Sequence, residues 1–359
     1  MTTALFAGGG TAGHVNPLLA TAEAMQEIDS SARVIVLGTK QGLEARLVPE
    51  RGFELVTVPR LPFPRSLNLY ALGFPFRLFA ATLGVMRLIR SRGVDVVVGF
   101  GGYAAAPAYL AAMFSKKPFV VHEANVLPGV ANRFAAKFTK FVAISFGETR
   151  LPNSKLVGMP IRKELSKIDR LKNRAGALKT LGLDASRPVL LVTGGSTGSA
   201  KLNATVADSA KRIIETGWQI LHTVGESREF EYPKLKNYFP VPYCDRMDLA
   251  YTVADFTVAR SGAATVCELA AVGIPAVFVP YPVGNGEQEL NARGAVEAGA
   301  ALICLDAEFS PAWVDQNLLP LLADKTKLAK MAKAASGGRS NAASELAAIV
   351  LKASDGLRT

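Results

Sequence analysis

Thr3-Ala4-Leu5-Phe6-Ala7-Gly8-Gly9-Gly10-Thr11-Ala12-Gly13-His14 opens the chain with an apolar run, a glycine turn and the start of a helix-like stretch. This unit decides the fold because it recurs. Gly99-Phe100-Gly101-Gly102-Tyr103 follows the run Val94–Val98, Gly194-Gly195-Ser196-Thr197-Gly198 follows Pro188–Val192, and Arg260-Ser261-Gly262-Ala263-Ala264-Thr265 follows Phe256–Ala259. In such a turn, backbone N–H groups converge at a helix N-terminus, where partial positive charge favours phosphate. One turn of this kind says little. Four, two in each half, point to phosphate or diphosphate groups held by two similar domains.

Working outward, the first half alternates strand and helix. Thr3–Ala7 reads as a strand, and Asn16-Pro17 as the cap and first residue of a helix reaching Ile28. Arg33–Gly38 and Leu55–Val58 are further strands, and Val94–Val98 is a β-branched run suited to a parallel strand buried on both faces. Pro118–His122 and Phe141–Ile144 follow, with a helix over Val130–Lys137 between them. The pattern breaks near Pro152–Arg162, a polar helix is expected over Lys163–Leu181, and strand–turn–helix order restarts at Pro188. Gln219–Thr223, Phe256–Ala259, Ala276–Val279 and Ala301–Cys304 complete the second set. The expected fold is α/β, with two doubly wound Rossmann-like domains, residues 1–160 and 161–340, facing a cleft. Asn341–Lys352 reads as a helix that could bring the tail 341–359 back to the first domain.

A chain of 359 residues, 49% hydrophobic and 20% charged, suits a soluble globular protein of two domains. Cys244, Cys267 and Cys304 lack metal-ligand spacing and leave an odd one over, and only three histidines occur. A zinc site is therefore not expected, and a reducing cytoplasm is the simple setting. Met1–Phe6 has neither a basic start nor a long apolar core, so no signal peptide is expected.

The net charge of +11 is concentrated in the first half. No acidic residue occurs between Glu54 and Asp95, an interval that holds Arg60, Arg65, Arg77, Arg87, Arg90 and Arg92. Set among them are Leu61-Pro62-Phe63-Pro64, Leu67, Leu69, Tyr70, Leu72, Phe74, Phe76, Phe79 and Leu83. Two readings stand. One is a core helix with a solvated basic edge; the other is a patch resting on anionic lipid, with arginines at the headgroups and Phe or Leu below. Gly73, Pro75, Arg77 and Arg87 argue against a spanning helix. Neither a stacking motif nor a recognition-helix motif accompanies the charge, so nucleic acid is not an expected partner.

Gly8–Gly13 satisfies G-x-G-x-x-G, yet the second strand ends in Gly38-Thr39-Lys40 rather than in the acid that grips an adenine ribose. Lys40 leaves an NADP enzyme as an alternative. A tight packing turn accounts for Gly8 and Gly9 but not for His14, which falls at the strand edge where ligands bind. More specific is Arg260-Ser261-Gly262-Ala263-Ala264-Thr265-Val266-Cys267-Glu268. Its Ser-Gly turn caps a helix whose free N–H groups can face a diphosphate, and Glu268, one to two turns in, can accept both hydroxyls of a ribose. The plain alternative is an ordinary cap with a solvated glutamate. Gly284–Ala292 opens a neighbouring helix, where Gln288 offers donor and acceptor to sugar hydroxyls.

Thr11-Ala12-Gly13-His14, Gly101-Gly102-Tyr103, His122-Glu123-Ala124-Asn125, Gly158–Arg162, Gly194-Gly195-Ser196 and Ser261–Glu268 together resemble, in order, the motifs of the MurG family. These are the peripheral membrane GlcNAc transferases that convert lipid I to lipid II in peptidoglycan synthesis. The resemblance implies a GT-B glycosyltransferase with UDP-GlcNAc as donor and lipid I as acceptor, on the cytoplasmic side of the cell membrane. No cofactor or metal is expected; an anionic membrane surface is an expected partner, and other cell-wall synthesis proteins are further candidate partners. Carried over by motif, Ser261, Gly262, Ala263, Ala264, Thr265 and Glu268 hold diphosphate and ribose, and Gln288 the GlcNAc hydroxyls. Arg162 and Ser196 flank the nucleotide, Cys244 and Met247 border the uracil, and Thr11, Ala12, Gly13 and Asn125 face the donor sugar. Gly13, His14, Gly101, Gly102 and Tyr103 meet the lipid diphosphate. The family usually has Gly at position 12 and Gln at 124 and 197, where this chain has Ala, Ala and Thr.

The resemblance also implies inversion, hence direct attack by the MurNAc C4 hydroxyl and one general base. No Asp-x-Asp pair occurs in the chain, so helix N-termini and an arginine are expected to steady the leaving diphosphate. His14 is the first candidate base, because its ordinary pKa lies near neutrality; the alternative is that it only binds phosphate. Glu123 is the second candidate, His122 is expected to order its own loop, and His222 to be a satisfied core histidine. Two rival classes keep the nucleotide motifs: a UDP-sugar transferase with a soluble acceptor, and an epimerase or non-catalytic binder.

Overall fold

Alternate residues of an extended strand point to opposite faces, so a strand covered on both sides must be apolar throughout. Leu5, Ala7, Ile35, Leu37 and Val97 line one face of the first sheet, and Ala4, Phe6, Val34, Val36 and Val98 the other. Helices Leu69–Ser91 and Ala105–Phe114 cover the first face. Ala12–Ile28 and Ala342–Asp355 cover the second. The computed structural model describes residues 1–64, 66, 68–225, 231–335 and 341–356. Arg65 and Leu67 of the basic apolar stretch, and residues 357–359 of the tail, lie outside the described residues.

The chain divides into two units, residues 1–162 with the tail from Asn341, and residues 163–340. The first holds β1 (Thr3–Ala7), β2 (Arg33–Gly38), β3 (Glu54–Thr57), β4 (Val96–Gly99), β5 (Phe119–Glu123), β6 (Val142–Ile144) and β7 (Ser154–Leu156). Their order is β3-β2-β1-β4-β5-β6-β7, and every pairing is parallel. The second holds β8 (Val189–Thr193), β9 (Gln219–Thr223), β10 (Tyr238–Val241), β11 (Ala254–Ala259), β12 (Ala276–Phe278) and β13 (Ala301–Ile303). These run β10-β9-β8-β11-β12-β13, again all parallel. In each sheet the strand order reverses direction once, between β1 and β4 and between β8 and β11. Such a reversal opens a crevice at the carboxyl ends of the strands. The four glycine turns of the sequence follow those four strands.

The tail helix Ala342–Asp355 belongs to the first unit, against Ala12–Ile28. Its Leu346, Ala347 and Val350 are buried, and full burial of a Leu or Val contributes roughly 1.5–3 kcal/mol.

Several local expectations change. The first helix starts at Ala12 rather than near Asn16-Pro17, because Gly10, at φ +94°, turns the chain straight into an extended Thr11 cap. Pro17 therefore lies inside the helix. Ala12 is helical, so its methyl is accommodated where the family has Gly. Lys163–Leu181 is two helices, Lys163–Ser166 and Arg170–Leu181, because the Asp169 side chain accepts from Lys172 N at 3.1 Å and begins the second. Val130–Lys137 is an α-helix only to Ala135, followed by a 3₁₀ turn, Ala136–Phe138. The strands β7 and β10 were not legible. Both are edge strands, and β10 contains Pro240, which an edge tolerates.

Candidate active site

In the first unit, the parallel topology gathers Thr11–His14, Gly101–Tyr103, and Glu123 with Asn125 at the carboxyl ends of three neighbouring strands, β1, β4 and β5. The turns after β1 and β4 touch through backbone. Gly102 has φ +76°, and a Cβ there would stand 2.5 Å from the Gly9 carbonyl oxygen. Beside it, a Cβ on Gly101 would lie 3.1 Å from the His14 ring. Thr11 Oγ1 is 3.5 Å from His14 Nδ1. Burial lowers the His14 pKa below its ordinary 6.5, partly countered by the charge of Glu123, a hydrogen bond with the Gly9 backbone, and Glu44. The ring is therefore neutral at pH 7, as a proton acceptor must be.

Glu123 is buried and occupied. Its Oε1 accepts from Asn125 N at 2.9 Å and Asn125 Nδ2 at 3.4 Å; its Oε2 accepts from Gly129 N at 3.0 Å and Asn132 Nδ2 at 2.9 Å. Four donors hold the carboxylate as the organiser of its loop, which favours His14 over Glu123 as the candidate base. Asn125 correspondingly turns its side-chain amide toward Glu123, and its backbone carbonyl accepts from Thr149 Oγ1 at 3.0 Å. Asn132, which sequence reasoning missed, also donates to the His122 carbonyl and accepts from Tyr109 OH at 2.8 Å. His122 is buried, within 3.3 Å of Ser145 Oγ, and burial lowers its pKa to about 4. Tyr103 OH accepts from Arg60 Nη2 at 3.3 Å, and that guanidinium lies 4.9 Å from the Tyr103 ring centroid.

The second missed residue is Glu44, wholly buried. Its Oε2 accepts from Gly10 N at 2.8 Å, and its Oε1 accepts from Thr39 N and Thr39 Oγ1, each at 2.8 Å. A Cβ at Gly9, Gly38 or Gly42 would collide with the Glu44 side chain. The glycines of the first turn therefore make room for an acid that holds the turn from below. A lone Glu following Gly38 and Gly42 was the available signal.

In the second unit, Ser196 follows β8, Cys244 and Met247 follow β10, Ser261–Thr265 follow β11, and Gln288 follows β12, all at the carboxyl edge of one sheet. Helix Ala263–Val272 begins after Gly262 with no side-chain cap, and its first backbone bond is Val266 N to the Gly262 carbonyl. The N–H groups of Ala263, Ala264 and Thr265 are thus without intrahelical partners. A Cβ at Gly262 would meet nothing within 4 Å, so the space before this helix is open. Ser261 Oγ is buried with no hydrogen-bond partner among the described residues. Buried polar groups are nearly always paired, and an anion at this helix start would pair it. Arg162, the last residue of the first unit, likewise has a buried, unpartnered Nε.

Glu268 sits on the same helix with its Oε2 accepting from Tyr251 OH at 2.9 Å. Tyr251 belongs to helix Met247–Val253, so the segment expected beside the uracil also orients the expected ribose ligand. The Gln288 carbonyl accepts from Tyr281 N at 3.0 Å. That bond takes one of the two lone pairs of the side-chain oxygen and orients the amide. Arg260, quoted in the motif but given no role, ties the site together. It donates to Ser199 Oγ at 2.8 Å and to the Val279 and Pro280 carbonyls at 3.0 Å, and pairs with Asp306 at 2.6 Å. Asn291 Nδ2 donates to the Ser261 carbonyl at 3.4 Å. His222 is buried between Tyr238 OH at 2.8 Å and Asn203 Oδ1 at 3.2 Å, a core role.

Residues 4–144 match the glycosyltransferase family 28 N-terminal domain, and residues 189–348 the family 28 C-terminal domain. A curated relative from Leifsonia xyli subsp. xyli is 54% identical over 98% of each chain. It is named UDP-N-acetylglucosamine–N-acetylmuramyl-(pentapeptide) pyrophosphoryl-undecaprenol N-acetylglucosamine transferase. A Streptomyces coelicolor relative of the same name is 45% identical over 97% of each. Among solved structures, Acinetobacter baumannii MurG aligns with TM-score 0.76 at 29% identity, covering 98% of this chain and 100% of that one. A Listeria monocytogenes protein titled a putative UDP-N-acetylglucosamine 2-epimerase aligns at TM-score 0.66 and 12% identity, over 96% of this chain and 94% of that one; this likeness is one of fold alone. The chain belongs to glycosyltransferase family 28.

Proposed function

We propose that this chain moves N-acetylglucosamine from UDP-GlcNAc to the C4 hydroxyl of the MurNAc in polyprenyl-diphospho-MurNAc-pentapeptide, lipid I, giving lipid II and UDP. The second unit holds the donor: the N-termini of helices Ala200–Glu215 and Ala263–Val272 face the diphosphate, and Glu268, steadied by Tyr251, accepts from the ribose. The first unit holds the acceptor diphosphate on Gly13, His14 and the Gly101–Tyr103 turn. The C4 oxygen attacks the anomeric carbon as the bond to UDP breaks, and the hydroxyl proton passes to His14. Helix N-termini aimed at the leaving diphosphate stabilise charge where it develops. The observation that carries the reading is the buried, unpartnered Ser261 hydroxyl at an open helix start.

The protein works as a peripheral enzyme on the cytoplasmic face of the membrane. Helix Leu69–Ser91 supports this: its inner residues Ala81, Thr82, Val85 and Ile89 are buried, while Leu72, Phe76 and Phe79 are 60–78% exposed along one stripe. The helix is long and apolar enough to cross a bilayer, but Arg77 and Arg87 within it suit the headgroup layer. UDP release measured with and without the lipid acceptor tests the function. Release that requires the acceptor is expected; release without it would indicate an epimerase, and none in either case a binder.

A further inference from the structure

We propose that a groove beside the acceptor turns holds the first isoprene units of the acceptor's polyprenyl chain; this rests on the lipid acceptor named above. The groove lies between the end of β3, the following Val58–Leu61 segment, and helix Leu69–Ser91, and encloses about 430 Å³. That is within the roughly 300–1,000 Å³ usual for ligand sites. Val58 and Leu61 form one wall, Ala81, Gly84 and Leu88 the other, and Arg77 is the one charged residue lining the groove among the described residues. No carboxylate pairs with Arg77 among the described residues; its guanidinium rests 4.9 Å from the Tyr70 ring centroid.

Three features select a polyprenyl diphosphate as occupant. Between Pro59 and Leu61, which both line the groove, Arg60 reaches Tyr103. The groove thus begins next to the turn that takes the acceptor diphosphate. Arg60 at that end and Arg77 in the groove wall supply cations complementary to a diphosphate, while the remaining described lining is apolar but for Thr57. A second face of the same helix carries the exposed Leu72, Phe76 and Phe79 stripe. A chain seated in the groove can pass along this helix to the bilayer.

Filling the groove tests this. A Cβ at Gly84 meets nothing within 4 Å, so Gly84→Leu adds bulk without a backbone clash; Ala80→Leu adds bulk to the same lining one turn earlier. With the full chain, kcat/KM is measured for lipid I and for an acceptor analogue bearing a short alkyl chain, and vesicle binding by sedimentation. The proposal expects kcat/KM for lipid I to fall about tenfold in each variant, the loss of roughly 55 Å² of apolar burial. It expects the short-chain analogue, donor KM and vesicle binding to stay at wild-type values. Equal loss with both acceptors, or no loss with either, overturns it. A parallel loss of vesicle binding also overturns it, by making the occupant a bilayer lipid. Absence of wild-type turnover with lipid I would instead defeat the proposed function.

Discussion

Replacing Glu44 with Gln separates the two things its carboxylate does. Gln is nearly isosteric, so its carbonyl can occupy the Oε1 position and keep both Thr39 donors, each at 2.8 Å in the native chain. Its NH₂ group then stands where Oε2 accepts from Gly10 N, also at 2.8 Å, and two donors face each other. A hydrogen bond to a charged group contributes about 1.5–3 kcal/mol, and an unsatisfied buried donor costs about as much as the bond it lost. The substitution should therefore destabilise the first unit by about 2–3 kcal/mol. At 2–4 °C per kcal/mol for a unit of this size, the melting temperature should fall by roughly 5–10 °C. Function should suffer more than stability, because the loosened turn carries His14, and an error of about 1 Å in a reacting group can cost about 100-fold in rate. Differential scanning fluorimetry and UDP release with lipid I measure the two effects. Donor KM should stay near wild type while kcat falls. A Glu44→Gln protein that melts within about 2 °C of wild type and turns over normally would refute the claim that Glu44 holds the turn from below.

Three further outcomes are expected. His14→Ala should lower kcat by about 10²–10⁴-fold, the usual contribution of a general base, with donor affinity little changed; in the wild type, kcat should fall with acid only below pH 6.5, since burial lowers this pKa. A pH-independent rate, or loss of donor affinity alone, would remove His14 from proton transfer. His122 and His222, held neutral with pKa values of about 4 and about 3, bind fewer protons folded than unfolded. Stability is thus greatest above pH 6.5 and declines as pH falls toward these values, by a few kcal/mol at pH 4.5, which urea titrations at pH 7.5 and 4.5 would measure; equal midpoints would contradict it. Phe76→Ser combined with Phe79→Ser should abolish sedimentation with anionic vesicles, and salt should weaken wild-type binding; binding indifferent to both would retire the membrane stripe.

Much of the architecture was legible because parallel strands buried on both faces must be apolar throughout, as Val189–Val192 and Val96–Val98 are. Edge strands carry no such demand. Ser154–Leu156 and Tyr238–Val241 therefore hid in polar or proline-bearing sequence. The candidate site was legible where glycine turns follow strands, since Gly262 and Gly101 have few other reasons to occur there. It was not legible where a side chain acts on another side chain. Tyr251 orienting Glu268, Asn132 holding Glu123, and Arg260 joining four segments all bring together residues distant in the chain. Glu44 lies between these cases: Gly9, Gly38 and Gly42 look like three unrelated turns until the buried carboxylate they surround is seen.

In the proposed reaction the nucleotide diphosphate is bound by the turns after β8 and β11, and the acceptor by the turns after β1 and β4. Hydrogen–deuterium exchange of the full chain with and without UDP tests it most directly. The account predicts slowed exchange in Gly194–Asn203 and Ser261–Glu268, with Gly8–Val15 unchanged. Protection confined to Gly8–Val15 would contradict it.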